Sequence, residues 1–458
     1  MLKVCKVLPL MLLASCSVGP DYERPLFWSD TELKQVLKTD DNAVYPNKKW
    51  FEVFKDKQLE MLITDAIQYN LDVKTALSRL KQARYNLRIG EVQYLPMIDA
   101  EGNYNYKYAP KYEEFGNDNS FFNVGFDATW ELDIWGQGRR EVESFAALYE
   151  SAAANLDNVL LTVTTEVANN YLQLKTTYHR LKIAQKNLQV QRDILKLVKD
   201  KYKSGLVGEE DLHQAQYVVE STKSKIPDLE QEVIVYKSAL ALLVGKLSED
   251  RLNGNDIGDE TFVYNVEKLR QFPVEVIRSR PDVRAAENML KAKNAEIGVA
   301  LAEMFPNLSL SSSLGRQAHK VNNLGHSVYA AYGYTSMLNV PFLHWGELLN
   351  KFKQSKEVKE EYLYAYQNVM LNAVNEISKA MSAVEKEYRK NRALKNAATD
   401  MEKVVNSMKI KYKEGLIEFN DLLTSEQNLL LAQDNWASSN GKICQNIVAF
   451  YKAIGGGY

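Results

Sequence analysis

Three cysteines in 458 residues, at positions 5, 16 and 444, are too few for a disulfide framework, so stability has to come from packing and assembly. Charge of one sign is lacking as well. The 57 lysines and arginines meet 59 aspartates and glutamates, a balance that supplies no field for nucleic acid or an anionic membrane surface. After the first fifteen residues no uninterrupted apolar run reaches the roughly 18 residues a membrane helix needs, which leaves β-structure as the means of crossing a bilayer. The five histidines, His179, His213, His319, His326 and His344, show no metal-ligand spacing, and His319 and His326 fall in an expected surface loop, where solvation accounts for them. No glycine-rich phosphate loop follows a strand, and no Cys/His pair or paired carboxylate in an identifiable cleft points to catalysis. We read no enzyme, no cofactor or metal site and no nucleic-acid partner; function must come from shape.

What the chain does contain is a long internal repeat. Lys201-Tyr202-Lys203-Ser204-Gly205-Leu206, running on to Asp211-Leu212, returns as Lys411-Tyr412-Lys413-Glu414-Gly415-Leu416, running on to Asp421-Leu422, at an offset of 411 − 201 = 210 residues. Trp135-Gly136 matches Trp345-Gly346 at that offset, as do Pro96 and Pro306, Asp72-Val73 and Asp282-Val283, Val159 and Val369, Glu166 and Glu376, and Gly245 and Gly455. A gapless repeat of this length is a duplicated structural half, since solenoid units run roughly 20–50 residues. Each copy of the first motif sits between apolar residues at helical spacing, so it reads as the tip of a helical hairpin, with Gly supplying backbone freedom and Asp starting the return helix.

The N-terminus carries an address. Lys3 and Lys6 flank a short apolar core, Val7 to Leu13, too brief to span a bilayer, so residues 1–15 read as a secretory signal. Leu13-Ala14-Ser15-Cys16 resembles the lipobox of bacterial lipoproteins, in which the Cys sulfur carries diacylglycerol and its amine an acyl group; palmitate is the expected label. The competing reading is an ordinary secretory cleavage with Cys16 as a bystander. Ser17 after the Cys, rather than Asp, is the family's mark of outer-membrane sorting. With Cys5 removed and Cys16 acylated only Cys444 would remain, its role open.

Residues 16–55, with Pro20, Pro25 and Pro46, predict an extended strap of little periodicity lying on other elements, and the first repeat follows at 56–245. Its helical pattern, broken at Asn70 and ended by Pro96, gives way to a period of two in a hairpin at 97–131. Ile98, Ala100, Gly102, Tyr104 and Tyr106 alternate with polar residues, and so do Phe122, Val124, Phe126, Ala128 and Trp130. Runs of about 10 residues with one apolar face match tilted membrane strands, and the Tyr, Phe and Trp content suits interface girdles; a soluble sheet packed on a core is the alternative. Helical spacing resumes after Gly136 and runs to about Lys203, on the order of 100 Å at about 1.5 Å per residue, then turns near 205 and returns to about Val244, with a break or kink expected at Pro227. A polar linker at 246–275 leads to the second repeat, 276–458. It has a weaker hairpin at 307–341 (Leu308, Leu310, Ser312, Leu314; Tyr332, Tyr334, Leu338, Val340), a tip near 415 and a glycine tail, 455–457, expected to fray.

Four strands cannot span a membrane alone, because two open edges would leave backbone groups unpaired in hydrocarbon at several kcal/mol each. Two chains would give eight strands and three would give twelve, and the larger number leaves a clear lumen. At this point the sequence resembles the outer membrane factor, or TolC-like, family of exit ducts, in its lipoprotein branch of RND-type drug-efflux components. The resemblance rests on Cys16-Ser17-Val18-Gly19-Pro20-Asp21-Tyr22-Glu23-Arg24-Pro25, Trp130-Glu131-Leu132-Asp133-Ile134-Trp135-Gly136, Arg280-Pro281-Asp282-Val283-Arg284-Ala285-Ala286-Glu287, Phe305-Pro306-Asn307-Leu308, Val340-Pro341-Phe342 with Trp345-Gly346, and Tyr451 to Gly457. It implies a mixed α and β membrane protein: a homotrimer with a twelve-stranded outer-membrane barrel continuous with a periplasmic α-helical tunnel, and an equatorial belt built from the termini and linker. It also implies a lipid-anchored outer-membrane location and docking to a periplasmic membrane-fusion adaptor and an inner-membrane pump of RND type.

Such a duct would conduct efflux cargo passively. A type I protein-secretion duct of the same fold, and a non-conducting periplasmic coiled-coil stalk, are the rival readings. By position relative to Gly205 and Gly415, Asp211, Tyr412 and Asp421 match the family's tip-constricting residues, and Glu418 adds an acid to the second turn; together they form the expected periplasmic gate. The Tyr412 hydroxyl is expected to hold the closed state through a hydrogen bond. The competing role for Asp211 and Asp421 is as helix caps. Ile417 stands where the best-known member has Arg, so a salt-bridged lock of that kind is not expected.

Overall fold

A computed structural model describes residues 17–37, 49–107, 119–247 and 272–457. The expected signal, Cys16 and most of the inter-repeat linker lie outside them. In chain order the elements are α1 (Asp30–Leu37), α2 (Lys57–Tyr69), α3 (Leu71–Gln93), β1 (Met97–Lys107), β2 (Asn119–Leu132), α4 (Gln137–Lys203), α5 (Glu209–Leu243), α6 (Val276–Ser279), α7 (Pro281–Ala302), β3 (Asn307–Ala318), β4 (Ala330–Asn339), α8 (Glu347–Lys413) and α9 (Phe419–Ala453). Among the described residues no helix is long and apolar enough to cross a membrane. The chain divides into two compact units: residues 1–25, 79–153 and 285–367, and residues 26–78, 154–284 and 368–458.

The first unit is built on one antiparallel sheet in the order β1-β2-β3-β4. Its register puts the expected apolar set on one face. Tyr104 lies opposite Phe122, Ala100 opposite Phe126, Phe126 opposite Leu314 and Leu314 opposite Tyr332. Among the described residues nothing covers that face, for Phe126 is 59% exposed, Leu314 62% and Tyr334 90%. The other face carries Asn103 opposite Asn123, with Asn123 donating to the Asn103 carbonyl at 3.0 Å, and Asp127 opposite Ser313. His319 is exposed, as expected, and its Nδ1 also lies 2.6 Å from the Ser120 carbonyl, a contact between the end of β3 and β2.

Below the sheet, α4 starts where Asp133 accepts the backbone N–H groups of Gly138 and Arg139, both at 3.1 Å, which is the capping logic of a carboxylate at a helix N-terminus. The strap is tied to the same place. Arg140, nearly buried, donates to the carbonyls of Val18 and Gly19, each at 3.1 Å, and to Asp21 at 2.8 Å, while Arg24 grips Glu287 through two bonds of 2.7 and 3.0 Å. Gly19 has φ +95°, and a Cβ there would sit 2.5 Å from the Gly298 Cα, so both the conformation and the close approach demand glycine.

The second unit is a helical layer whose core joins Leu59, Ile63 and Ala66 of α2, Tyr171, Leu172 and Leu174 of α4, and Ile443, Ile447 and Phe450 of α9. Asp56 caps α2 through Gln58 and Leu59 and also receives the Tyr171 hydroxyl and the Lys175 ammonium. Lower down, Arg180 of α4 clasps Asp434 of α9 at 2.7 Å.

Three expectations change. The strap region contains α1, which the sequence marks only by a capping box: Ser29 and Glu32 bond each other's backbone N–H groups at 3.2 and 2.8 Å. The break at Pro227 does not occur, and α5 is one element through it. The lost bond would have gone to the Lys223 carbonyl, and both residues lie on the exposed face, where water can take the orphan. The glycine tail is not frayed: Gly455 and Gly456 are buried against Arg280, whose Nη1 donates to the Ala453 carbonyl at 2.6 Å while its other nitrogens hold Asp282 and Glu376.

The face assignment can be tested by charge. Phe126→Lys places an ammonium on the apolar face near mid-strand and should cost about 2–4 kcal/mol per chain in a bilayer, whereas Ser313→Lys, one register step away on the polar face beside Asp127, should be nearly silent. Yield of heat-resistant assembly in detergent reads the difference, and equal yields would show the faces to be reversed.

Candidate functional site: the paired helical turns

The two repeat motifs fold into one kind of turn. Gly205 (φ +71°) and Gly415 (φ +73°) take left-handed conformations. Leu206 N–H bonds the Lys201 carbonyl at 2.9 Å and Gly205 N–H bonds the Tyr202 carbonyl at 2.9 Å; Leu416 to Lys411 and Gly415 to Tyr412 repeat the pattern at 2.9 and 3.2 Å. This is the helix-ending arrangement in which a left-handed glycine satisfies the last carbonyls.

Neither Asp211 nor Asp421 is a helix cap. The cap positions belong to Gly208 and Glu418, neither with a side-chain cap bond, and each aspartate stands third in its helix. Their acidity still complements the positive helix end.

The side chains around the turns form one small core. Val198, Ala215, Tyr412, Phe419 and Leu422 are buried together, with Leu212 and Ile417 packed on them. Of the expected gate residues, Tyr412 is in this core, 3% exposed, with its ring 5.7 Å from that of Phe419. Asp211 is half-buried beside it, while Glu418 and Asp421 are exposed. The structure therefore brings Asp211 and Tyr412 together and leaves Glu418 and Asp421 on the surface. Burial, with the negative charges of Glu210 and Glu418, holds the Asp211 carboxyl above its usual range, and burial with Asp211 nearby pushes the Tyr412 phenol up.

One expectation fails at atomic detail. The Tyr412 hydroxyl is buried without a hydrogen-bond partner, so it supplies no bond that holds the turns shut. Contacts the sequence did not announce do more. Lys409 pairs at 2.7 Å with Glu426, a carboxylate only 2% exposed. Gln191 and Glu426 line a void of about 10 Å³ in the same bundle, room for a single water. Lys201 reaches Tyr412 itself. The only advance signal for the Lys409–Glu426 pair was an acid on the apolar face of α9, which a lone sequence reads as an irregularity.

An antiparallel sheet with one bare apolar face, continued by 67-residue helices that turn back at paired glycine turns, defines the architecture of outer-membrane ducts. The family model described as outer membrane efflux protein matches residues 62–246 and 272–456, the two repeats in their 210-residue register, and the chain belongs to that family. It is similar to nodulation protein T of Rhizobium leguminosarum bv. trifolii, at 27% identity over 98% of this chain and 96% of that protein. It is also similar to the cation efflux system protein CusC of Escherichia coli strain K12, at 24% identity over 99% of each. Among solved structures the outer-membrane channel OprN superposes with a TM-score of 0.87 at 27% identity, covering 96% of this chain and 99% of that one. The chain is thus an outer-membrane efflux protein and not an enzyme.

Two substitutions test the site. Because the folded carboxyl of Asp211 takes up its proton more readily than the unfolded chain does, the turns are most stable in acid and lose stability as pH rises through the raised value; Asp211→Asn should flatten that slope above about pH 4. Tyr412→Phe removes an orphaned hydroxyl and keeps the ring, so it should leave the turns unchanged or up to about 1 kcal/mol more stable. Amide exchange across residues 198–215 and 405–422 measures both, and a destabilised Tyr412→Phe would mean that the hydroxyl has a partner.

Proposed function

We propose that this protein is the exit duct of a tripartite efflux pump, conducting cargo passively from periplasm to exterior as a homotrimer. The observation that carries this is the four-stranded sheet. Among the described residues its apolar face is bare and its edge strands β1 and β4 each pair on one side only, so a membrane position requires further copies to close the ring. Three chains give twelve strands and an open lumen, and the long helical hairpins then converge at their turns on the periplasmic side. The family assignment and the efflux role in the name of CusC support efflux. The partners on this reading are a periplasmic adaptor and an RND-type inner-membrane pump, and the gate is formed by Asp211, Tyr412, Glu418 and Asp421.

Cys16 is the lipid attachment point on the same reading. Ser17 and Val18, the described residues that follow it, support the reading: Val18 N–H bonds the Trp135 carbonyl at 3.0 Å, and Ser17 lies close to Gly136 in the link between β2 and α4.

Purified protein in planar bilayers should give discrete conductance, and a stalk would give none. Affinity capture should retain an RND pump; recovery of an ABC transporter instead would assign the duct to protein secretion. Three exposed Asp421 carboxylates near one axis should bind multivalent cations added on the periplasmic side, and Asp421→Ala should weaken that block markedly. Cys16→Ser should abolish palmitate labelling, and labelling that persisted would remove the lipid assignment.

A further inference from the structure

The two turns share backbone geometry and nearly share sequence, yet their side chains do different things. Lys201 and its repeat-mate Lys411 both stand four residues before the turn glycine. The Lys201 ammonium reaches across to the other hairpin, donating to the Tyr412 carbonyl at 2.8 Å and lying 4.0 Å from the centre of the Tyr412 ring. Lys411 is exposed, and among the described residues no ion pair or ring contact engages its ammonium. The tyrosines divide in the same way: Tyr412 is 3% exposed and Tyr202, its repeat-mate, 40%.

From this asymmetry we infer that Lys201 is a positioning residue of the duct's mouth, a clamp that ties the end of α4 to the end of α8 so that the two turns of a protomer move as one. The inference rests on the duct reading above. Three features make the contact strong for an ammonium. It lies in the last turn of α4 and is bonded to a last-turn carbonyl of α8, so it meets the negative ends of two helix dipoles. That carbonyl also accepts the turn's own Gly415 N–H at 3.2 Å, so the clamp acts on the turn that sets the return angle of α9. The ring completes the site with a cation–π contact at close range. Through Tyr412 the clamp also fixes the packing of Phe419, the first residue of α9, and the flank against which Asp211 is half-buried. The Tyr412 hydroxyl takes no part, which is why Tyr412→Phe leaves the clamp whole and only the cation or the ring can release it.

The test uses full-length assembled protein with Lys201→Met, which keeps the length of the stem and loses the charge, Lys201→Arg, which keeps a cation donor, and Lys411→Met as the control in the same local sequence. Two readouts are taken: open probability in planar bilayers, and amide exchange by mass spectrometry over residues 405–422 in detergent. Lys201→Met is expected to raise open probability about ten-fold and to speed exchange at the second turn, with Lys201→Arg restoring most of both and Lys411→Met matching the parent. The clamp is overturned if Lys201→Met matches the parent in exchange, if Lys411→Met shifts both readouts equally, or if Lys201→Arg behaves as Lys201→Met, which would make the stem's packing the cause. A parent that conducts nothing would sink the duct reading, and the exchange comparison would still decide the clamp.

Discussion

Among the described residues strands β1 and β4 each have one partner, so along both edges of the sheet a row of N–H and C=O groups has no strand to pair with. In water that is tolerable; in hydrocarbon every such group costs several kcal/mol, and no side chain can repair a whole edge. The bare apolar face excludes the aqueous solution to this problem, because Phe126, Leu314 and Tyr334 would then stand in water with nothing to cover them. Ring closure with further copies is the arrangement that satisfies the backbone and the side chains together. The strands lead straight into long helices, α4 after β2 and α8 after β4.

That continuation depends on rigid joints. The link between β2 and α4 is four residues long, and Asp133 caps the helix from within it. Arg140 then holds the strap against the first turn of α4, so the segment that would carry the lipid and the strand that would enter the membrane share one anchorage. At the other end of the chain Arg280 performs the same service, binding Asp282, Glu376 and the last carbonyl of α9 at once. A guanidinium, with five donors in a fixed fork, can join three elements where a lysine would join one. Arg280 lies inside a stretch that marks the resemblance to the family, and Arg140 binds Val18, Gly19 and Asp21 of another, so the geometry gives those stretches a mechanical reason.

Much of this was legible in the chain because it rests on periodicity. A switch from a period of 3.6 to 2 at Pro96 and back at Gly136 located the strands, and the 210-residue offset located their second copy even where Ser312 weakened the pattern. What stayed hidden depends on partners distant in sequence. The burial of the glycine tail requires Arg280, some 170 residues away, and the Lys409–Glu426 pair requires α8 and α9 to face each other in one register. Pro227 misled for the opposite reason: the rule for proline counts the lost bond, and here the orphaned carbonyl lies where water can reach it. At the turns, the resemblance marked Asp211, Tyr412 and Asp421 by position without singling out any two of them, and the hydrogen bond expected of Tyr412 fell on the wrong atom, since its ring and carbonyl are engaged and its hydroxyl is not.

The division between the two turns has a physical origin in the duplication itself. When α4 and α8 pack at their ends within one chain, each offers a face to the other, and two identical faces would set lysine against lysine and tyrosine against tyrosine. A donor must meet an acceptor, so the contact has to be made by non-equivalent positions: Lys201 from one copy, Tyr412 from the other. Their repeat-mates, Tyr202 and Lys411, are thereby turned outward, although nothing in the local sequence distinguishes them. Divergence elsewhere is consistent with this. Phe419 stands where the first copy has Glu209, and an aromatic at that point is what Tyr412 packs on, whereas an acid there remains in solvent. The repeat thus preserves the backbone of the turn twice and its interior once, and the residues left out of that interior, Tyr202 and Glu209 of the first copy and Lys411 of the second, stay exposed.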